Sequence, residues 1–318
     1  MHLLFRSNLA DRTARLIGLL GLIALAACEP RASDAPAVAS TIFDAPWNSG
    51  VDRQEPAFHV QTIDPSTIVL RQSITTTFES PFLYLLFGDT KALLIDTGVE
   101  GVDLRGEVDR LMAARRKPLA LVVMHSHGHS DHVGGDAAFA GRPDTVVVGH
   151  SRDDVARFFA IDAWPTKSAA FDLGGRAVDI LPTPGHQDAH VMVFDRATRI
   201  LFSGDTIYPG NLYFQCAKLS DFRASIDRVA IFAAKHDTRW LLGAHIEMTT
   251  SPGKTFPLQD AGARSGEHLL ELPRSVIGEV QAGLAKMGDK PRVEAHRDFI
   301  LFPHPADPRG KQPPNWCL

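Results

Sequence analysis

The chain has 318 residues, 44% of them hydrophobic and 22% charged, which places it among globular proteins with one large domain or two modest ones. Its formal charge is -4, and the first 27 residues hold Arg6, Arg12 and Arg15 against only Asp11, so the remainder carries -6. Such a balance gives no basic footprint for nucleic acid, and no nucleic-acid partner is expected.

The chain opens with a basic stretch to Arg15, then the apolar run LIGLLGLIALAA from Leu16 to Ala27, then Cys28. The run is shorter than the roughly 20 residues that a bilayer demands and fits the apolar part of a secretory signal. The ending Leu25-Ala26-Ala27-Cys28 resembles the lipobox of bacterial lipoproteins. That resemblance implies removal of residues 1–27, acylation of Cys28, and an exported protein tethered to a bacterial membrane at the periplasmic face or cell surface. An ordinary cleaved signal and an uncleaved anchor are the competing readings. Cys216 and Cys317 remain, and either a disulfide or two free thiols would suit an exported chain. Residues 28–55 are dominated by Ala, Pro, Ser and Asp and read as a flexible tether; a domain of residues 56–306 follows, and 307–318 form a proline-rich tail.

Within the domain, short apolar segments bounded by Gly, Asp or Pro recur: STIVLRQ, PFLYLLF, KALLID, LALVVM, DTVVVG, RAVDIL, HVMVFD, RILFSG, RWLLGA and DFILF. Their length and β-branched content predict strands. Gly88-Asp89 and residues 195–198 read as hairpin connections. Helices are expected over 103–115, 152–159 and 266–287, the last interrupted or started at Pro273, and after Ser220, where Phe222, Ile226, Val229, Ala230 and Ala233 share a face. Strands outnumber helices, which suggests two packed sheets with helices outside, a mixed α/β fold.

The stretch HSHGHSDH, residues 125–132, stands directly after the apolar run LALVVM. His127 and His129 are two apart on an extended segment and project to one side, so a single metal ion can take both. Asp131 and His132 follow as the backbone turns and point differently, toward a second ion. Imidazole and carboxylate suit zinc, with iron or manganese also compatible. A histidine-rich surface loop is the plain alternative, and a metal needs further ligands. Three strand ends offer them: His186 in TPGH, Asp205 in SGDT and His245 in GAH.

These pieces, with Asp96 in LIDTG, follow the order of motifs in the metallo-β-lactamase fold superfamily, which the chain resembles over residues 82–245. The final Gly-Ala-His departs from the commoner Gly-His and makes His245 the least secure ligand. The resemblance implies a four-layer αββα sandwich holding two divalent ions. His127, His129 and His186 would take one ion, Asp131, His132 and His245 the other, with Asp205 bridging and Asp96 fixing the ligand loops.

The implied chemistry is hydrolysis, in which metal-activated hydroxide attacks a carbonyl and Asp131 orients the nucleophile or moves its proton. Tyr208, three residues after Asp205, matches a tyrosine that reaches the substrate carbonyl in the lactone-hydrolysing branch; packing over its loop is the alternative, and Tyr213 competes for the role. His125 and His190 read as supporting or core histidines, and Phe158, Phe159 and Trp164 as core before pocket lining. Asp205 argues against true β-lactamases, and His129 against diiron flavoproteins. Export favours a small ester or lactone over a cytosolic glutathione thioester. A glyoxalase II-like thioesterase, a mononuclear-iron persulfide dioxygenase and a metal- or partner-binding lipoprotein without turnover are the other readings.

Overall fold

The computed structural model describes residues 42–304. The signal-like run, Cys28, Cys317 and the proline-rich tail all lie outside them. In chain order the first sheet holds β1 (Phe58–Asp64), β2 (Thr67–Gln72), β3 (Phe82–Phe87), β4 (Lys91–Ile95), β5 (Ala120–Met124) and β6 (Thr145–Val147). These six lie side by side in that order, antiparallel through β4 and parallel from β4 to β6. Helix α1 (Leu104–Ala113) makes the crossover between β4 and β5, and the one-turn α2 (Ser130–Val133) follows β5. After α3 (Arg152–Phe158) come β7 (Ala169–Asp172), β8 (Ala177–Pro182), β9 (Val191–Asp195), β10 (Ile200–Gly204) and β11 (Asn211–Gln215). Helix α4 (Leu219–Lys235), β12 (Trp240–Gly243), β13 (Glu271–Pro273), α5 (Ser275–Met287), β14 (Glu294–Ala295) and β15 (Ile300–His304) complete the described chain. The second sheet runs β13-β12-β10-β9-β8-β7, and β11, β15 and β14 make a small third sheet.

Alternation along the strands sets the layers. In β3, Phe82, Tyr84 and Leu86 enter the core between the large sheets, whereas Leu83, Leu85 and Phe87 join the core beneath α1. In β9, Val191 and Val193 face inward to the first sheet, and Met192 and Phe194 pack under α4 and α5. A sheet clothed on both faces must be apolar at every position, which is why these strands read as unbroken hydrophobic runs. The result is helix, sheet, sheet, helix, the expected four layers. All ten predicted strand segments are strands, and both predicted hairpins join antiparallel neighbours.

Two expectations need correction. The last helix, expected over 266–287 with a break or start at Pro273, begins at Ser275, close to that proline, and its first part is lost because residues 271–273 form edge strand β13, where Glu271 and Leu272 are buried against β12. The tether expected to reach residue 55 is packed over its described part. Phe43 and Trp47 are buried in the inter-sheet core, with Trp47 edge-on to Phe82 at 4.9 Å between ring centroids. Two large aromatic rings outweigh the polar composition around them, since each buries enough apolar surface to hold the backbone. Cys216, just after β11, is disulfide-bonded.

Candidate metal centre

Seven donors leave the strand ends at one rim of the sandwich. His127, His129, Asp131 and His132 follow β5 of the first sheet; His186, Asp205 and His245 follow β8, β10 and β12 of the second. His129 ends the extended segment and starts α2, so that Asp131 and His132 turn away on the helix. Gly204 and Gly243 allow the second sheet's contribution. Gly204 has φ +50°, and a Cβ there would meet the His190 ring at 2.6 Å; a Cβ on Gly243 would strike Tyr208 at 2.2 Å. The residue between Gly243 and His245 is taken up by backbone pairing, since Ala244 donates to the Gly204 carbonyl at 3.0 Å and accepts from Phe82 at 2.8 Å.

The donors form two groups. In the first, His127 Nε2, His129 Nδ1 and His186 Nε2 lie 2.8 to 3.1 Å from one another. His186 Nδ1–H donates to the Tyr213 carbonyl at 2.8 Å. Ser126 Oγ donates to Asp96 and so accepts from His127 Nδ1–H at 3.1 Å. Both Nε2 atoms therefore carry lone pairs, and lone pairs facing each other at 3.1 Å call for a cation between them. Burial holds His127 well below the usual imidazole range and pushes His186 down to about 4, so both are neutral bases at pH 7.

The second group has the opposite electrical character. His132 Nε2 lies 3.2 Å from Asp131 Oδ2, and His245 Nε2 lies 3.3 Å from that same oxygen. His132 Nδ1–H donates to Asp96 at 2.9 Å, and His245 Nδ1–H to the Glu79 carbonyl at 3.0 Å. Burial opposes charging of His132, but Asp205 and Asp131 outweigh it and hold this imidazole well above its ordinary range. The same contest, with Asp205 the main opponent of burial, raises His245 to about 9. Desolvation opposes the charge on half-buried Asp131 and on buried Asp205, yet the His132 charge dominates and keeps both carboxyls well below the usual carboxylate range. Asp205 stands between the groups: Oδ2 is 3.9 Å from His127 and 3.7 Å from His186, while Oδ1 is 3.5 Å from both His132 and His245.

The donor set fits metal on an independent observation. His132 Nε2 and Asp205 Oδ1 are buried without a hydrogen-bond partner. Orphaned polar atoms of this kind are costly, and two lone-pair atoms 3.5 Å apart, a ring nitrogen and a carboxylate oxygen, are satisfied together by one cation. His127, His129 and His186 on one side, and Asp131, His132, Asp205 and His245 on the other, are spaced as metal donors.

Asp96 accepts from Ser126 N at 2.6 Å, Ser126 Oγ at 2.9 Å and His132 Nδ1, and adopts a left-handed φ of +67° to do so. Tyr208 differs from its expected catalytic placement. It is 1% exposed in the core under α4 and α5, and its hydroxyl donates to the Asn211 carbonyl. Phe159 and Trp164 belong to or pack on the inter-sheet core, and Phe158 sits edge-on against Phe159. His125 pairs with Asp136 at 2.8 Å. His190 is a structural post with a role not anticipated: burial keeps it neutral, and its Nε2 accepts the Asp205 backbone N–H at 3.1 Å, fixing the carboxylate between the two groups. Glu79 and Glu247, also unanticipated, are half-buried beside His245 and Tyr213. Neither belongs to a periodic pattern or a ligand motif, so no signal in the sequence marks them.

Residues 76–215 match the family model of the metallo-beta-lactamase superfamily. Among curated proteins, the chain is 28% identical to the hydroxyacylglutathione hydrolase of Rhizobium meliloti (strain 1021), covering 54% of this chain and 70% of that protein. It is 32% identical to the same-named protein of Anaeromyxobacter dehalogenans (strain 2CP-C), over 40% of this chain and only 46% of that one, about half its length. It is 26% identical to the human acyl-coenzyme A thioesterase MBLAC2, over 46% and 66% respectively. A solved metallo-beta-lactamase from Hirschia baltica superposes with a TM-score of 0.52 at 16% identity, covering 72% of this chain and 98% of that one. Metallo-beta-lactamase FIM-1 from Pseudomonas aeruginosa gives 0.51 at 15%, over 74% and 98%. At such identities these structures speak for the fold.

Proposed function

We propose that this chain is a hydrolase of the metallo-beta-lactamase superfamily that cleaves the acyl bond of a small ester or lactone at a two-metal centre. The observation that carries this reading is the convergence of seven donors with His132 Nε2 and Asp205 Oδ1 left orphaned at its heart. Bound divalent ions, zinc first among them, would supply Lewis acidity and bring a water toward ionisation near pH 7.

The chain's own residues do the rest. His127, His129 and His186 offer neutral nitrogens without having to shed protons. Asp205 offers one oxygen to each group and fixes their separation. Asp131 lies between His132 and His245, keeps its negative charge, and would orient a nucleophile and pass its proton. His190 and Asp96 hold Asp205 and His132 in place through the hydrogen bonds given above.

The names of the curated relatives favour a second reading, a thioester substrate. Export and acylation at Cys28 stand as part of the proposal and weigh toward the ester or lactone. Metal-loaded protein offered aryl esters, lactones and thioesters, with and without chelator, decides among these. Chelator-sensitive turnover of one class identifies it; bound metal with no turnover of any class returns the chain to a binding role. Asp205→Ala should lose metal and activity together, measured by elemental analysis and initial rates.

A further inference from the structure

Beside the donors lies a cavity of about 250 Å³, walled by Phe78, Glu79, Tyr213, Glu247, Phe256 and Arg264 among others. It adjoins the reaction site through the backbone: the Glu79 carbonyl holds His245, the Tyr213 carbonyl holds His186, and Glu247 is two residues beyond His245. These same residues line the cavity. One oxygen of Glu247 accepts from Asn211 N at 2.7 Å and from Asn211 Nδ2 at 2.8 Å, which fixes the carboxylate. The Glu79 carboxylate forms no hydrogen bond or ion pair with any described residue. Arg264 makes no ion pair with either carboxylate: its two terminal nitrogens donate to the Ile246 and Phe78 carbonyls at 2.9 and 3.0 Å, and its guanidinium lies over the Phe256 ring, 5.8 Å from the centroid.

Resting on the hydrolase reading above, we infer that the substrate carries an ammonium-type cation, seated between Glu79 and Glu247 beside Tyr213. Two carboxylates against one guanidinium leave a partly desolvated cavity with an excess of negative charge that attracts a cation, and an aromatic ring beside them adds a cation–π contribution that a neutral group of equal shape lacks. An anionic substituent meets repulsion from the same walls. The cavity thus selects the part of the substrate that does not react, while the metal donors handle the acyl bond.

The test uses three aryl esters, and the matching thioesters, that differ only at the acyl end: trimethylammonium, its neutral tert-butyl isostere, and carboxylate. With metal-loaded protein, kcat/KM for the cationic member should exceed the neutral one by about tenfold, with the anionic member slowest. Glu79→Gln should collapse that ratio and Glu79→Lys should invert it, the first being isosteric and free of lost hydrogen bonds. A neutral member as fast as the cationic one overturns the inference. Binding of phenyltrimethylammonium, followed by calorimetry on wild type and Glu79→Gln, separates the two proposals. Binding that needs Glu79, without turnover of any ester or thioester, keeps the cation site and sinks the hydrolase reading. Turnover without such binding does the reverse.

Discussion

Asp96 shows how much one side chain outside the metal donors can decide. Its carboxylate accepts three hydrogen bonds, and the one from His132 Nδ1 forces the lone pair of that ring onto Nε2, where a cation would meet it. Asp96→Asn keeps the size but can present a donor to the ring, so metal affinity or activity should fall about 10- to 100-fold while the fold survives. Metal titration alongside circular dichroism checks both halves. Tyr208 is the opposite case. Its hydroxyl is spent on the Asn211 carbonyl inside the core, so Tyr208→Phe should cost about 1 kcal/mol of stability, leave metal content intact and change kcat little. Loss of turnover with full metal occupancy would restore the catalytic role suggested by its spacing from Asp205. The sequence made Asp96 legible because Asp-Thr-Gly is a local signal. It left Tyr208 ambiguous because an offset along the chain does not say whether a ring turns inward.

Strand ends made the donors legible at the scale of elements. A residue type suited to metal, standing just past an apolar run and beside a glycine, can be read from text alone; His127, His186 and Asp205 stand so, and His245 stands one residue further from its glycine. Segments whose state depends on a distant neighbour could not be read this way. Residues 271–273 are a strand only because β12 offers an edge, and β11, with β14 and β15, is set by pairing between remote stretches. The two donor clusters also differ in what a metal must displace. His186, lowered to about 4 by burial, is proton-free across the neutral range, whereas His245, raised to about 9 chiefly by Asp205, holds a proton until a cation replaces it. Metal uptake at the His245 cluster should therefore release protons and tighten as pH rises from 6.5 to 9, while uptake at the His186 cluster stays level. Calorimetry in buffers of different ionisation enthalpy measures this. In metal-free protein the sign runs the other way. The folded value for His245 exceeds its ordinary 6.5, so its stabilisation is complete below about pH 6.5 and is lost as pH climbs through 9. Denaturant midpoints at pH 6.5 and 9 should fall accordingly.

The whole molecule depends on ties that cross long stretches of sequence. Arg71 and Glu267, both fully buried, form a two-pronged ion pair between β2 and the segment before β13. Ser49 and Asn48 hold that segment from the other side, through Arg264, Gly266 and Glu267. Glu267→Ala strands the arginine charge and should cost about 3–5 kcal/mol, and Trp47→Ala a similar amount through the cavity left in the inter-sheet core; chemical denaturation reads both. Composition averaged over a window hid the packing of residues 42–55, since two aromatics among prolines and serines scarcely alter the mean. The donors, finally, are shared between the halves of the sandwich, four from the edge of one sheet and three from the other. Neither half owns a complete coordination shell. A captured ion would consequently act as a rivet across the seam, and stripping it with chelator should loosen that rim first, seen as faster amide exchange at the β5 and β10 ends than at their opposite ends.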